Sequence, residues 1–310
     1  MEWLKGQFEG QQNLIPSGVM TIGNFDGLHR GHRYLISELL KETPEGQKSV
    51  VLSFSPHPSH IVGPVPVKSL FSDQDRAEQI DKLGVDVFVL QDFSPSFSKL
   101  SAEDFLRQFL FPVFSPQKLI LGHDFNFGKG GEGDFKLVKR VAQDWSTEVI
   151  QAKAFLWDGL TVSSSLIRGL VEKGEVVKAA EMLLRPFYVE GRVVHGKALG
   201  RTLGFPTANI KHDLITPGRG VYAGWAERQG QFYPAVVNIG TRPTVDTHGE
   251  ETVECHILDF SDDLYGEDLK FHFIEKIRNE KKFSGKIELE EQISKDIASA
   301  RSLLKGKEIC

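Results

Sequence analysis

The chain has 310 residues, of which 40% are hydrophobic and 25% are charged. This length predicts two domains, each with a core of its own, and the ordinary composition excludes a disordered or collagen-like chain. The formal net charge of −5 argues against a nucleic-acid partner, so an anionic substrate has to be met by local donors or by a metal ion.

Cysteine usage and the N-terminal residues indicate the compartment. Cys255 and Cys310 are the only cysteines, and their spacing fits neither a disulfide framework nor a metal site, which is typical of a reducing compartment. Residues 1–5 contain no signal-peptide core, and no apolar run is long enough to span a membrane. We therefore expect a cytoplasmic protein that has no membrane partner.

A glycine-rich turn follows the first apolar run. Residues 19–22 predict a strand, residues 34–40 predict an amphipathic helix, and three glycines lie between them. Glycines let the backbone approach a ligand closely, and the following helix offers free N–H groups to an anion. His29 and His32 lie three residues apart at the helix start, so both can stabilise charge on phosphoryl oxygens.

Strands alternate with helices through the rest of the first half. Further strands are expected at 49–54, 85–90, 118–121 and 148–150. Helices are expected from the capping residue Ser72 to Gly84, from Ser101 to about Phe111, where Pro112 ends the helix, and up to Trp145. This alternation predicts a parallel sheet with right-handed crossovers, whose ligands bind at the carboxyl ends of the strands.

Three segments are expected to share a pocket at that edge of the sheet: the glycine-rich turn, the segment 56–58 and the loop around Asp124. Farther along, Ser163 to Arg168 begins a helix that ends at Gly174, and a second helix runs from Glu175 to about Leu184. Serine hydroxyls at a helix start often only cap the helix. Arg168 follows them by one turn, so it can face the same anion.

Short β-rich runs replace the helical pattern from Arg185 onward. They lie at 188–194, 220–228, 231–239, 252–260 and 269–277, which predicts an antiparallel barrel. A closing helix is expected over 289–304, with a charged face in solvent and an apolar face of Leu289, Ile293, Ile297, Ala300 and Leu304. The domains are therefore expected at 1–184 and 185–310.

A second candidate site lies at the start of the barrel. Glycines and basic residues between 191 and 204 can form a flap over phosphates, although a plain surface loop is an open alternative. Thr207 and Asn209 are two residues apart, so both oxygens face one side of an extended segment. Such a pair suits a Mg²⁺ ion that is bound mostly by phosphate and water.

Two sets of motifs resemble known families. Gly-x-Phe-Asp-Gly-x-His-x-Gly-His, at 23–32, resembles the His-x-Gly-His superfamily of nucleotidyltransferases. Gly-Phe-Pro-Thr-Ala-Asn, at 204–209, resembles the ATP–metal motif of riboflavin kinases, and motifs at 238–244, 253–256 and 264–266 stand in that family's order. Over nearly its whole length, the chain resembles the prokaryotic bifunctional riboflavin kinases/FMN adenylyltransferases, which are also called FAD synthetases.

The resemblance implies a Rossmann-like α/β nucleotidyltransferase domain over 1–184 and an antiparallel β-barrel riboflavin kinase domain, with a closing helix, over 185–310. It implies that ATP phosphorylates riboflavin to FMN and ADP in the barrel, with Mg²⁺ as cofactor. A second ATP then adenylylates FMN to FAD and releases pyrophosphate in the first domain. No nucleic acid and no membrane takes part.

The resemblance also implies roles for individual residues. Glu254 would be the base for the ribityl hydroxyl, and His29 and His32 would stabilise the transition state at the α-phosphate. Thr207 and Asn209 would hold the metal ion. The residues expected to bind ATP or phosphate are Gly23, Asn24, Phe25, Gly31, Ser164, Ser165, Arg168, Gly196, Lys197, Gly204 and Pro206. Those expected to bind flavin are Pro56, His57, Pro58, Asp124 and Arg278.

The chain departs from the family pattern at four positions. Ser55 replaces a common acidic residue, Ser165 a threonine, Asn126 a common arginine, and Leu184 a glycine at the domain junction. Two alternatives to the two-activity enzyme stay open. One is a riboflavin kinase whose first domain is inactive or uses another acceptor, and the other is a flavin or nucleotide sensor without catalysis.

Overall fold

The structure, a computed structural model, describes residues 1–15, 18–63, 66–196, 204–242 and 250–307. Its contacts divide the chain into two compact units, Met1–Ser163 and Ser164–Cys310. Within the described ranges, no helix is both long and apolar enough to cross a membrane.

The first unit is built on a parallel sheet. Its strands are β1 (Glu2–Gly6), β2 (Val19–Ile22), β3 (Ser49–Ser55), β4 (Val87–Asp92), β5 (Lys118–Leu121) and β6 (Glu148–Gln151). The order is β1-β4-β3-β2-β5-β6, and each neighbouring pair is parallel. The predicted parallel sheet is confirmed. The sequence did not indicate β1, because this edge strand is mostly exposed and has no continuous apolar run.

Helices cover both faces of this sheet. They are α1 (Arg30–Lys41), α2 (Ser59–Val62), α3 (Asp73–Lys82), α4 (Ala102–Asp104), α5 (Phe111–Phe114) and α6 (Phe135–Ala142), and a small hairpin of β7 (Leu156–Trp157) and β8 (Leu160–Thr161) follows β6. Alternate strand residues face opposite sides. Val51 therefore belongs to the same apolar cluster as Leu39 of α1 on one face, whereas Leu52 belongs to a second cluster, with Phe109, on the other. β2 is held in the middle of the sheet, between β3 and β5.

The prediction that Pro112 ends a helix is wrong. A π-helical segment, Phe105–Leu110, lies between α4 and α5, and the backbone N–H of Phe111 bonds to the carbonyl of Leu106. Pro112 stands in the first turn of α5, directly after this π-helical segment, so the residue that lacks an N–H lies where the regular α-helical hydrogen-bond pattern is already interrupted. The helical region continues to Phe114.

The second unit combines two helices, a barrel and a closing helix. The elements are α7 (Ser164–Glu172), α8 (Val176–Leu183), β9 (Tyr188–Val194), β10 (Ala208–Lys211), β11 (Gly220–Arg228), β12 (Gln231–Arg242), β13 (Glu250–Ile257), β14 (Asp268–Arg278) and α9 (Lys286–Leu304). The strands close in the order β10-β13-β12-β11-β14-β9, and all pairs are antiparallel. The predicted antiparallel barrel with a closing helix is confirmed.

α9 packs its apolar side on the outer face of the barrel. Ala300 and Leu304 form one cluster with Val221 and Val236, as the predicted helix face requires. Asp296 is an exception to the expected solvated charged face, since it is only 3% exposed. Its carboxylate is buried because it pairs with Arg278, which is a tertiary contact that periodicity does not report.

α7 and α8 group with the barrel. The N–H of Gly218 donates to the carbonyl of Val171 at 3.0 Å, and Gly174 lies directly against the hydroxyl of Tyr222. Leu184 ends α8 with a φ of 61°, a left-handed conformation that costs an L-residue about 1 kcal/mol and explains why glycine suits this position. The boundary after Leu184, between independently folding domains, stays a prediction.

Two fragments test this boundary. We expect a fragment of residues 164–310 to unfold at a higher temperature than one of residues 185–310, because the shorter one loses the packing of α7 and α8 on Tyr222. Each kcal/mol of lost packing lowers the midpoint of a domain of this size by roughly 4 °C. Thermal unfolding followed by circular dichroism measures the difference. Equal midpoints would contradict a stabilising role of the two helices.

Candidate active sites

In the first unit, the glycine-rich turn is held between β2 and α1. The N–H of Gly23 donates to the carbonyl of Leu52 at 3.1 Å and so extends the pairing of β2 with β3. Phe25 has a φ of 49° and is completely buried. The carboxylate of Asp26 accepts the N–H of Leu70 at 3.0 Å, which ties the turn to the chain before α3.

His29 and His32 lie together at the start of α1. Their rings are stacked, with 3.6 Å between centroids. His29 caps the helix, because its Nδ1 accepts the backbone N–H of His32 at 3.3 Å. When the His29 ring is neutral, its proton is therefore on Nε2. A Cβ atom on Gly31 would lie 3.3 Å from the His29 ring, so glycine leaves room for this arrangement.

The other two predicted segments of the first unit start from neighbouring strand ends. Pro56, His57 and Pro58 follow β3, and Asp124 follows β5, whereas the glycine-rich turn follows β2 between them. His57 Nδ1 lies 2.6 Å from the hydroxyl of Ser59 at the start of α2. The Asp124 carboxylate is largely exposed. The topology thus places the three segments at one edge of the sheet, and their ligand contacts stay predictions.

The predicted phosphate-binding helix belongs, by its contacts, to the second unit. Ser164 and Ser165 form the first turn of α7. Ser165 is exposed, whereas Arg168, one turn on, is buried. Their expected roles at a phosphate stay predictions.

In the second unit, cross-strand register places Glu254 between two asparagines. Asn209 of β10 is its direct partner on one side, and Asn238 of β12 is its direct partner on the other. Directly opposed residues of antiparallel strands point to the same face, so the three side chains form a polar row. Val253 and Cys255 point the other way and are buried. The half-buried Glu254 therefore has two amide neighbours within a mostly apolar barrel.

Two glycines border this polar row. A Cβ atom on Gly196 would overlap the side-chain amide of Asn209, so only glycine lets the chain just after β9 come this close. A Cβ atom on Gly240 would lie 3.1 Å from Glu280 Oε1 and 3.5 Å from Asn238 Nδ2. Lys197, which was expected to bind ATP beside Gly196, lies outside the described residues.

The segment Gly204–Asn209 is anchored by a histidine that follows Glu254. The Nδ1 of His256 donates to the carbonyl of Pro206 at 2.8 Å, and its ring meets Phe205 edge to face, with 5.9 Å between centroids. His256 lies two residues from Glu254, so both side chains are on the same face of β13. The predicted metal pair, Thr207 and Asn209, and the predicted base are therefore brought together.

Arg278 is the predicted flavin-binding residue whose side chain is already paired. Its Nε and Nη2 donate to the carboxylate of Asp296 at 3.0 and 2.8 Å, and its Nη1 donates to the carbonyl of Asn279. The guanidinium thus connects the end of β14 to α9. A flavin contact of Arg278 stays a prediction.

Sequence reasoning assigned no role to Asn238 or His256. Both stood in motifs that the family resemblance picked out, and Asn238 is an amide within an otherwise apolar run. That polar interruption was the available signal. Its meaning depends on register, which pairs Asn238 with a glutamate 16 residues later in the chain.

Comparisons with known proteins cover both units. A family model described as FAD synthetase matches residues 11–166, so it includes Ser164 and Ser165 but not Arg168, and one described as riboflavin kinase matches residues 183–304. The bifunctional riboflavin kinase/FMN adenylyltransferase of Escherichia coli (strain K12) is 36% identical over 308 residues, which is 97% of each chain. The protein of the same name from Bacillus subtilis (strain 168) is 36% identical over 285 residues, or 90% of each chain.

A solved structure is similar over the same length. The crystal structure of a macrolide-efflux protein from Streptococcus pneumoniae matches with a TM-score of 0.83 and 28% identity, covering 97% of this chain and 99% of that chain. Both family models match in the expected order, and the similarity to these two relatives covers 97% and 90% of the chain. The chain therefore belongs to the bifunctional riboflavin kinase/FMN adenylyltransferase family.

Proposed function

We propose that this chain makes FAD in two ATP-dependent steps. The barrel transfers the γ-phosphate of ATP to the ribityl hydroxyl of riboflavin, which gives FMN and ADP. The α/β domain then transfers the adenylyl group of a second ATP to the phosphate of FMN, which gives FAD and pyrophosphate. The observation that carries the proposal is the row of Asn209, Glu254 and Asn238, because simple binding of a nucleotide does not require a carboxylate base between two amides.

In the kinase step, Glu254 accepts the proton of the ribityl hydroxyl as its oxygen attacks the γ-phosphorus and ADP leaves. A general base has to lie within hydrogen-bond reach of that proton. The neighbouring amides of Asn209 and Asn238 orient the carboxylate and the substrate on one face of the barrel. Gly196, Lys197, Gly204 and Pro206 surround the phosphates in this proposal.

A Mg²⁺ ion fits the residues present. Thr207 and Asn209 offer hard oxygen ligands beside Glu254, and Asn209 is almost completely buried. The described residues contain no cluster of three or more histidine, cysteine, aspartate or glutamate side chains that could hold a metal ion. An ion held chiefly by ATP phosphates and by this oxygen pair agrees with that donor set. When bound, it neutralises charge that develops on the phosphates.

In the adenylylation step, an oxygen of the FMN phosphate attacks the α-phosphorus of ATP and pyrophosphate leaves. No base is needed, because the nucleophile is already ionised. Catalysis is therefore positioning together with stabilisation of charge. The Nε2–H of His29 and the ring of His32 act at the α-phosphate, with Gly23, Asn24, Phe25 and Gly31 forming the turn around the phosphates.

The remaining expected residues complete the two sites in this proposal. Ser164, Ser165 and Arg168 bind phosphate, and Pro56, His57, Pro58, Asp124 and Arg278 bind flavin. The catalytic domains extend over 1–184 and 185–310, in the cytoplasm.

Incubation with riboflavin, ATP and Mg²⁺, followed by chromatography, separates the alternatives. FMN without FAD would support a kinase alone, and neither product would support a sensor.

Glu254→Gln tests the base. The substitution keeps size and hydrogen bonding but removes proton acceptance, so riboflavin phosphorylation should fall by about 10²–10⁴. FAD formation from supplied FMN should persist. Glu251→Gln, the same change at an exposed position of β13, is the matched control. Near-normal phosphorylation by Glu254→Gln would remove this residue from its role.

His32→Ala tests transition-state stabilisation in the first unit. We choose His32 because His29→Ala would also remove the cap of α1, which costs about 1 kcal/mol of stability. Turnover of FAD formation should fall by about 10²–10³, while the KM for ATP changes little. Steady-state kinetics measures both, and riboflavin phosphorylation by the same preparation is the control. A raised KM with turnover intact would make His32 a ground-state binding residue.

Gly196→Ala tests the close approach of the chain just after β9 to Asn209. The added methyl group would displace the Asn209 amide, so the KM for ATP–Mg²⁺ in riboflavin phosphorylation should rise by about tenfold, as for one lost hydrogen bond to a charged group. Gly285→Ala, where a Cβ atom meets nothing within 4 Å, is the matched control. An unchanged KM in Gly196→Ala would show that Asn209 does not need this space.

A further inference from the structure

A buried arginine forms hydrogen bonds near the ends of two neighbouring strands, beside the glycine-rich turn of the first unit. Arg76, on α3, is 8% exposed. Its Nη1 donates to the carbonyl of Asn24 at 2.7 Å and to the hydroxyl of Ser53 at 2.8 Å, and it lies 3.3 Å from the carbonyl of Phe54. Asn24 belongs to the turn after β2, whereas Ser53 and Phe54 belong to β3. One guanidinium group therefore spans both strand ends.

The same carbonyl receives a second donor. The hydroxyl of Ser53 donates to Asn24 O at 3.0 Å, so this oxygen is held by Arg76 and Ser53 together. An amide carbonyl has two lone pairs, and here both have a partner. The direction of the Asn24 C=O bond is therefore well determined.

A carboxylate compensates the buried charge of Arg76. Asp73, one turn earlier on α3, pairs with Nη2 of Arg76 and also accepts from the hydroxyl of Ser55 at 2.6 Å and from Lys5 at 3.1 Å. Burial alone would raise the pKa of Asp73, but Ser55, Arg76 and Lys5 together hold the pKa below its usual value. Asp73 therefore stays ionised, and the guanidinium is buried as a paired group, as a charge inside a protein has to be.

The direction of the Asn24 carbonyl also determines the direction of the N–H group of the next residue, Phe25. In a planar trans peptide, the C=O and the following N–H point in opposite directions. Since the Asn24 carbonyl faces Arg76, the N–H of Phe25 faces away from it. Within the described residues, this N–H donates to no protein acceptor. A preorganised donor of this kind suits an oxyanion.

We propose that Arg76 is a positioning residue for adenylylation: it fixes the Asn24–Phe25 peptide so that the Phe25 N–H donates to an ATP phosphate oxygen. The inference rests on the proposed function of the first unit. A lysine could not fill this role. The planar guanidinium of Arg76 reaches the Asn24 carbonyl with one nitrogen and Asp73 with another, whereas the single ammonium group of a lysine cannot reach both. Arg76 itself does not touch the reacting atoms.

Three variants and a control test the proposal in the full chain. Arg76→Met removes the donors, Arg76→Lys keeps only the charge, and Ser53→Ala removes the second donor to Asn24 while leaving the ion pair intact. Arg107→Met is the matched control, since Arg107 has ion pairs with Glu103 and Asp144 but is exposed. Two readouts are needed: hydrogen exchange of the segment 19–28, and the KM for ATP in FAD formation.

Arg76→Met and Arg76→Lys should speed exchange in residues 23–28 and leave residues 87–92 of β4 protected. The KM for ATP in FAD formation should rise by about tenfold or more, as for a lost charge-assisted hydrogen bond, and Ser53→Ala should produce a smaller change in the same direction. Riboflavin phosphorylation and the Arg107→Met variant should be unchanged.

The contrary results are equally specific. Faster exchange throughout the sheet, with lower turnover but an unchanged KM, would make Arg76 merely structural and overturn the proposal. Unchanged exchange at 23–28 would overturn it as well, and so would full rescue by Arg76→Lys. If the unaltered chain makes no FAD, the proposed adenylylation fails, and the exchange data alone then decide whether Arg76 positions the turn.

Discussion

The register of the barrel strands is the constraint on which the second site depends. Glu254 faces Asn209 and Asn238 only because β13 pairs with β10 and β12 in one particular alignment. A slip of one residue would turn Glu254 toward the interior, where Val253 and Cys255 now lie, and would bury a carboxylate without partners. The apolar residues that form the core therefore also determine where the polar row stands.

The closing helix contributes to the same face of the barrel. Val221 and Val236, which α9 covers, are the cross-strand partners of Asn238 and His256. Arg278 lies opposite Val221 and is paired with the buried Asp296 of α9. Removing one partner of such a pair would leave an uncompensated buried charge. The ion pair thus fixes α9 against the end of β14, beside the proposed site. Arg278 therefore has a structural role whether or not it contacts flavin.

In the first unit, backbone groups beside the proposed site also need hydrogen-bond partners, here at the carboxyl ends of the strands. At the carboxyl ends of β2 and β3, Arg76 donates to the backbone carbonyls of Asn24 and Phe54, and the hydroxyl of Ser53 also donates to the carbonyl of Asn24. Helix α1 is capped by His29, so a side chain that is proposed to act at the α-phosphate also completes the helix. In both units, groups that satisfy the backbone also orient the side chains proposed for chemistry.

Much of the architecture follows from local sequence. Alternating apolar runs and amphipathic helices indicated the parallel sheet, and closely spaced β-rich runs indicated the barrel, because burial imposes these periods on any chain. The motifs around His29, Thr207 and Glu254 were sufficient to identify the family. Only the tertiary structure decided that Asn238 stands beside Glu254, that Arg76 and Asp296 are buried, and that the helix continues past Pro112. Strand register and buried ion pairs join residues that are distant in the chain, and a π-helical turn changes the helical period itself. No local sequence pattern therefore encodes these features.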